Sequence, residues 1–193
     1  GQSSVTVEGY RNTSGVVVDG YISGAEVCID EDDSWTCDVD ENSTVSDNNG
    51  NFTIKYAGGN LVSIGGMDLD SQTFLDNLLI THKLTDYSDF KAVTPVTSVA
   101  AFMEDSSLVN AALGIDPSID VFTFDPVANK GDGGINDYLY EKGNQLTVLA
   151  FAFQNIINNL NSTTETTQDY FQAITEEIEK EYTETNAKVD IET

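Results

Sequence analysis

The sequence predicts an α+β fold, with a β-sandwich-like first half over residues 1–95 and helices of a second half, residues 96–193, packed against it as a single ligand-binding domain. Three observations predict it. Short β-branched and aromatic runs separated by glycine-containing turns fill the first half. The apolar period then changes from strand-like to helical after Thr94-Pro95. Finally, 39% of the chain is hydrophobic and 18 residues are aromatic, enough to bury a core in spite of the charge it carries.

The strands follow in order. Val5 to Val7, Gly15 to Val18, Tyr21 to Ile22, Ala25 to Ile29, Phe52 to Tyr56 and Leu61 to Ile64 are the runs, and Asp19-Gly20, Ser23-Gly24, Asn49-Gly50 and Gly58-Gly59 are the turns between them. Thr94-Pro95 followed by Val96 to Met103 reads as a helix start with proline in the first turn. Leu146, Leu149, Phe153, Ile156, Ile157 and Leu160 recur at helical spacing and predict a long amphipathic helix from Asn136 to Asn161. Ser162 with Glu165 three residues on is a capping box for a further helix, whose buried face is Tyr170, Phe171, Ile174 and Ile178.

Charge limits the partners. The chain carries 33 Asp and Glu against 8 Lys and Arg, a net charge of −25 on 193 residues. Nucleic acid and anionic membranes are bound by clustered basic side chains, and Arg11 is the one arginine. Hard cations suit this composition better. No apolar run of about 18 residues occurs and residue 1 does not begin a charged-then-apolar leader, so neither membrane insertion nor a signal peptide is expected. Cys28 and Cys37 admit three readings: reduced thiols, half of a zinc site, or a disulfide. With His82 the single histidine and no further cysteine to complete four zinc ligands, a disulfide is the expectation. It would place the chain in an oxidising, extracellular setting.

The densest chemical signal is Asp30-Glu31-Asp32-Asp33-Ser34-Trp35-Thr36-Cys37-Asp38-Val39-Asp40-Glu41. Counted from Asp30, oxygen-bearing side chains fall at positions 1, 3, 5, 7, 9 and 12, as Asp30, Asp32, Ser34, Thr36, Asp38 and Glu41. This is the spacing of a twelve-residue calcium loop, because Ca²⁺ takes about six to eight oxygens and alternate residues of a tight loop must point inward. Position 6 departs from that pattern. Trp35 stands where the helix-flanked loop needs glycine, so a different backbone turn is expected, and the flanking segments read as strands. No Lys or Arg lies between Arg11 and Lys55 to neutralise these acids from within the segment.

Other clusters are weaker. Asp47 to Phe52 reads as an Asx-rich hairpin turn ahead of a second ligand set. Gly65-Gly66-Met67-Asp68-Leu69-Asp70 pairs amide-exposing glycines with alternate carboxylates, which suits an open metal site that receives an anionic group; an acidic loop after a strand accounts for it equally well. Lys130 to Asp137 is a glycine-rich loop with oxygen donors. No GxSxG, HExxH or phosphate-cradling glycine loop occurs, and His82 has no nucleophile motif beside it, so no enzyme activity is expected.

The order of Val18-Asp19-Gly20-Tyr21-Ile22-Ser23-Gly24-Ala25, Val27-Cys28-Ile29-Asp30, Ser46 to Phe52, Leu61 to Asp68 and Val93-Thr94-Pro95-Val96-Thr97-Ser98 resembles the peptide-binding domain of RTX adhesins from marine and aquatic Gram-negative bacteria. The resemblance implies a Ca²⁺-dependent adhesion module at the bacterial cell surface that captures the C-terminal end of a partner peptide or protein, as a monomeric module of a larger chain. It places the ligand-facing site on Gly65, Gly66, Asp68 and Asp70, with an ion at Asp68 and Asp70, and a structural ion at Asp30, Asp32, Ser34, Thr36, Asp38 and Glu41. Two other readings compete: a calcium-rigidified extender module of an adhesin stalk, and a Ca²⁺-dependent carbohydrate-binding module. Stalk modules are usually all-β, and the helical second half speaks against the first of these.

Overall fold

The computed structural model describes residues 11–56, 59–74, 79–83, 90–128, 131, 134–161 and 167–191. Its architecture is mixed α+β. Among the described residues, ten strands precede four helices: β1 (Arg11–Val17), β2 (Ile22–Ser23), β3 (Glu26–Asp30), β4 (Ser43–Val45), β5 (Asn51–Tyr56), β6 (Asn60–Ile64), β7 (Met67–Asp68), β8 (Thr73–Phe74), β9 (Leu79–Lys83) and β10 (Phe90–Val93), then α1 (Pro95–Phe102), α2 (Val109–Leu113), α3 (Ile135–Asn161) and α4 (Thr167–Thr185). The expected strand at Val5 to Val7 and the capping box at Ser162 and Glu165 lie outside the described residues.

The strands form three small open sheets, in the orders β10-β1-β5, β2-β7-β8 and β4-β3-β6-β9. β1 pairs antiparallel with β5, Gly15 opposite Phe52, and parallel with β10, Val17 opposite Val93. That parallel pair is what a purely antiparallel sandwich would lack, and it delivers the chain directly into α1. The two larger sheets and the helices share one core, in which Val17, Phe52 and Val93 meet Val27, Ile29 and Leu61 as well as Val96, Val99, Phe171 and Ile174.

Helix α1 is central because it is apolar or small on every side: Pro95 through Ala101 are all buried. Thr94 caps it by accepting from the Thr97 amide at 3.1 Å, while the Thr94 amide donates to the Thr97 hydroxyl at 2.9 Å. Ser98 disposes of its hydroxyl by donating to the Thr94 carbonyl at 2.9 Å. The expected face of α4 is buried, with Tyr170, Phe171, Ile174 and Ile178 all in the core. On α3, Leu146 is buried as the spacing predicts; the side chains of Phe153, Ile156, Ile157 and Leu160 lie outside the described set.

Turns form at Asp19-Gly20 and Asn49-Gly50, whereas Gly58 of the expected Gly58-Gly59 turn lies outside the described residues. Val18 and Tyr21 bridge across Asp19-Gly20. At Asp47 to Gly50 the Asp47 carboxylate accepts from the amides of Asn49 and Asn51, at 2.8 and 3.0 Å, and Gly50 sits at φ +76°, so this segment is the Asx turn its composition suggests.

Candidate metal centre and a second acidic cluster

Strand β3 ends at Asp30, and the chain returns as β4 with Cys28 opposite Ser43. Everything between is the acidic loop, flanked by strands. Disulfide Cys28–Cys37 spans its first part with Cα atoms 5.6 Å apart, joining the buried strand to the outer loop. The loop is closed by its own chemistry as well: the Glu41 carboxylate accepts from the Asp38 amide at 2.9 Å and from the Glu31 amide at 3.2 Å.

Carboxylate oxygens of Asp30, Asp32 and Glu41 lie within 4.8 Å of one another. Ser34 Oγ adds to them, 3.4 Å from Asp30 Oδ1, 3.0 Å from Thr36 Oγ1, 3.5 Å from the Thr36 carbonyl and 3.2 Å from Asp38 Oδ2. A hydroxyl has one proton to donate, so it cannot satisfy four oxygens. What the loop assembles is a surplus of oxygen acceptors, and the Asp30, Asp32 and Glu41 carboxylates lie close enough together to hold a metal ion. Hydrogen bonds tie Ser34, Thr36 and Asp38 to this loop, while the carboxylates near enough together to share an ion are those of Asp30, Asp32 and Glu41. Electrostatics separates the two acids at its base. Burial pushes the Asp30 carboxyl up, whereas the Ser34 hydroxyl, and then the Asp30 side chain, hold Asp32 below its ordinary range.

The backbone corrects one expectation. Trp35 does not force a different turn at position 6: it takes the left-handed conformation itself, at φ +59°, two residues after Asp33 at φ +56°. For a bulky side chain that conformation costs about 1–2 kcal/mol. Two contacts offset it. The Trp35 amide donates to Asp30 Oδ2 at 3.0 Å, and its ring stands edge-on to Phe102 of α1, 4.8 Å between centroids at 61°. The same ring packs on the patch formed by Cys28, Val62, Cys37 and Ile64.

A second acidic cluster is built from distant parts of the chain. Asp68 in β7 is buried and accepts from the amides of Asp70 at 2.8 Å, Ser71 at 3.3 Å and Gly20 at 3.5 Å. Asp70 accepts from the Tyr140 hydroxyl of α3 at 2.6 Å, and Tyr21 donates to Asp125 at 2.9 Å. A Cβ at Gly20 would fall 2.5 Å from Asp68 Oδ1, which measures how tightly the Asp19-Gly20 turn sits on β7. Gly65 and Gly66 have positive φ, +68° and +94°, and a Cβ at Gly66 would meet Ile22 Cγ2 at 2.7 Å. Asp19, which spacing marked only as a turn, is drawn into this cluster: burial, which outweighs the opposing pull of the Thr147 hydroxyl, pushes its carboxyl up to about 7, and the charges of Asp68 and Asp70 each add a smaller rise. Turning the Asn144 amide so that its nitrogen faces inward lets it donate to Asp19 Oδ1 at 3.2 Å. Of the Lys130 to Asp137 loop, Lys130, Asp132 and Gly133 are outside the described residues, and Asp137 accepts from the Gly131 amide at 2.5 Å.

Comparison with protein-family models and with curated proteins returns no match. Among solved structures the chain is similar to a 9R-lipoxygenase from Cyanothece PCC8801, with a TM-score of 0.28 and 17% identity over 86% of this chain and 27% of that one. A similarity at that level carries no argument about fold or activity. No helix among the described residues is long and apolar enough to cross a membrane.

Proposed function

We propose that this chain is an extracellular Ca²⁺-dependent adhesion module that captures the C-terminal end of a partner peptide or protein, using Gly65 to Asp70 as the ligand-facing segment. The observation that carries the calcium part is the clustering of the Asp30, Asp32 and Glu41 carboxylates, with Ser34, Thr36 and Asp38 hydrogen-bonded within the same loop, which a disulfide braces. Bridges of this kind persist in oxidising surroundings, which supports the location.

The ligand part rests on the charge around Asp68 and Asp70 and on the family resemblance. Asp19, Asp68 and Asp70 act on one another electrostatically, so a peptide carboxylate approaching them is repelled until a cation reverses the local potential. Binding of an anionic chain end at this place is therefore Ca²⁺-dependent. The test uses an immobilised library of short random peptides in free-acid and amidated forms, followed by calorimetry on the captured sequences. A charge-assisted contact contributes about 1.5–3 kcal/mol, so amidation should weaken binding about tenfold or more, and chelator should abolish it. Equal capture of both forms, or capture that survives chelator, sinks the peptide-end reading, and retention on a glycan array would replace it with the carbohydrate-binding one.

A further inference from the structure

We infer that Trp35 is a positioning residue that couples ion occupancy of the acidic loop to helix α1, so that loading the loop tightens the helical half of the molecule. The inference rests on the calcium reading of the loop and adds its consequence for the rest of the fold. Trp35 is the single tryptophan of the chain, and it is held at both ends. Its amide is fixed to Asp30 Oδ2 at 3.0 Å, and Asp30 is the first and most buried of the loop's carboxylates. Its ring meets Phe102, the last residue of α1, edge-on at 4.8 Å. Phe102 in turn packs against the main core, and the amide of Met103 just beyond it closes α1 on the carbonyls of Val99 and Ala100. One residue further, the Glu104 amide donates to Glu179 of α4 at 3.1 Å.

The coupling works through a backbone that a bulky residue adopts reluctantly. A left-handed Trp35 is supported by Asp30, which accepts its amide, and by Phe102 and the Cys28 and Val62 patch, which receive its ring. An ion that fixes the Asp30 carboxylate fixes the orientation of that acceptor, and with it the placement of the indole on α1. Without the ion, Asp30, Asp32 and Glu41 repel one another, the acceptor moves, and the ring contact that holds the end of α1 loosens. Glycine at position 35 would separate the two functions, because it turns left-handed without steric cost but has no ring to transmit anything.

The experiment compares wild type, Trp35→Gly, Trp35→Phe and Phe102→Leu, each with CaCl₂ and with chelator, by calorimetry and by amide hydrogen exchange resolved to the loop and to α1. In wild type, calcium should slow exchange at the amides of Val99 to Met103 by about twofold or more, the low end of coupling between residues in contact. Trp35→Gly should bind calcium with Kd within about tenfold of wild type and still protect the loop, since glycine adopts this turn freely. Its α1 amides should no longer respond. Trp35→Phe should restore the response and Phe102→Leu should weaken it. An α1 response that is unchanged in both Trp35→Gly and Phe102→Leu overturns the coupling, as does a wild-type loop that binds calcium with no response in α1. Wild-type protein that takes up no calcium in the calorimeter overturns the reading of the loop itself and the coupling with it, an outcome distinct from the first two.

Discussion

Burial holds Asp19 in a protonation state that its position beside Gly20 in a surface-like turn would not suggest. Its carboxyl rises from the ordinary 3.8 to about 7, so between these values the native chain keeps a proton that the unfolded chain has released. Stability then falls as pH rises, because the folded state binds more protons. The penalty is absent below about pH 4 and complete above about pH 7, and about three units correspond to about 4 kcal/mol. In chelator the domain should therefore be more stable at pH 5 than at pH 8, and Asp19→Asn should flatten that dependence in urea unfolding. A slope that survives the substitution assigns the effect to other groups. Neither this role nor the partnership of Asp70 with Tyr140 was legible in the sequence, since Asp68 is 49 positions and Thr147 128 positions from Asp19, and the packing of β2 on β7 and the contact of Tyr140 on α3 with Asp70 are tertiary. The cluster of Asp30, Asp32 and Glu41 was legible for the opposite reason: its carboxylates lie within twelve consecutive residues, where local spacing carries the pattern.

Helix α1 shows what local signals convey at the scale of an element. Pro95 announced its start, but the cap is a threonine pair, Thr94 with Thr97, where the familiar signature needs Glu or Gln at the third position. Thr94 is buried, and its hydroxyl accepts the Thr97 amide. Thr94→Ala leaves that amide unsatisfied inside the core and should cost about 1–2 kcal/mol in chemical denaturation, with Thr94→Ser costing much less. Equal losses for the two would show that the methyl group, and not the cap, is what matters. The strands divide in the same way. β3, β5 and β6 are long enough for β-branched runs to reveal them, whereas β7 and β8 have two residues each and no period to read.

At the scale of the whole molecule, mixed α+β was legible from the change of period at Thr94-Pro95, and the arrangement of sheets was not. The parallel pairing of β1 with β10 joins residues 14–17 to residues 90–93, a long-range pairing that no local run announces. A charge of −25 on such a fold destabilises the compact state through self-repulsion, and on the proposed reading a calcium ion at the Asp30, Asp32 and Glu41 carboxylates is the counterweight. Thermal unfolding in CaCl₂ and in chelator tests that most directly. With the ion at about a hundred times its Kd, one site adds about 2.7 kcal/mol, so the melting temperature should rise with calcium concentration and the rise should vanish in Glu41→Ala. Superimposable melts of the wild-type protein with and without calcium would contradict the account.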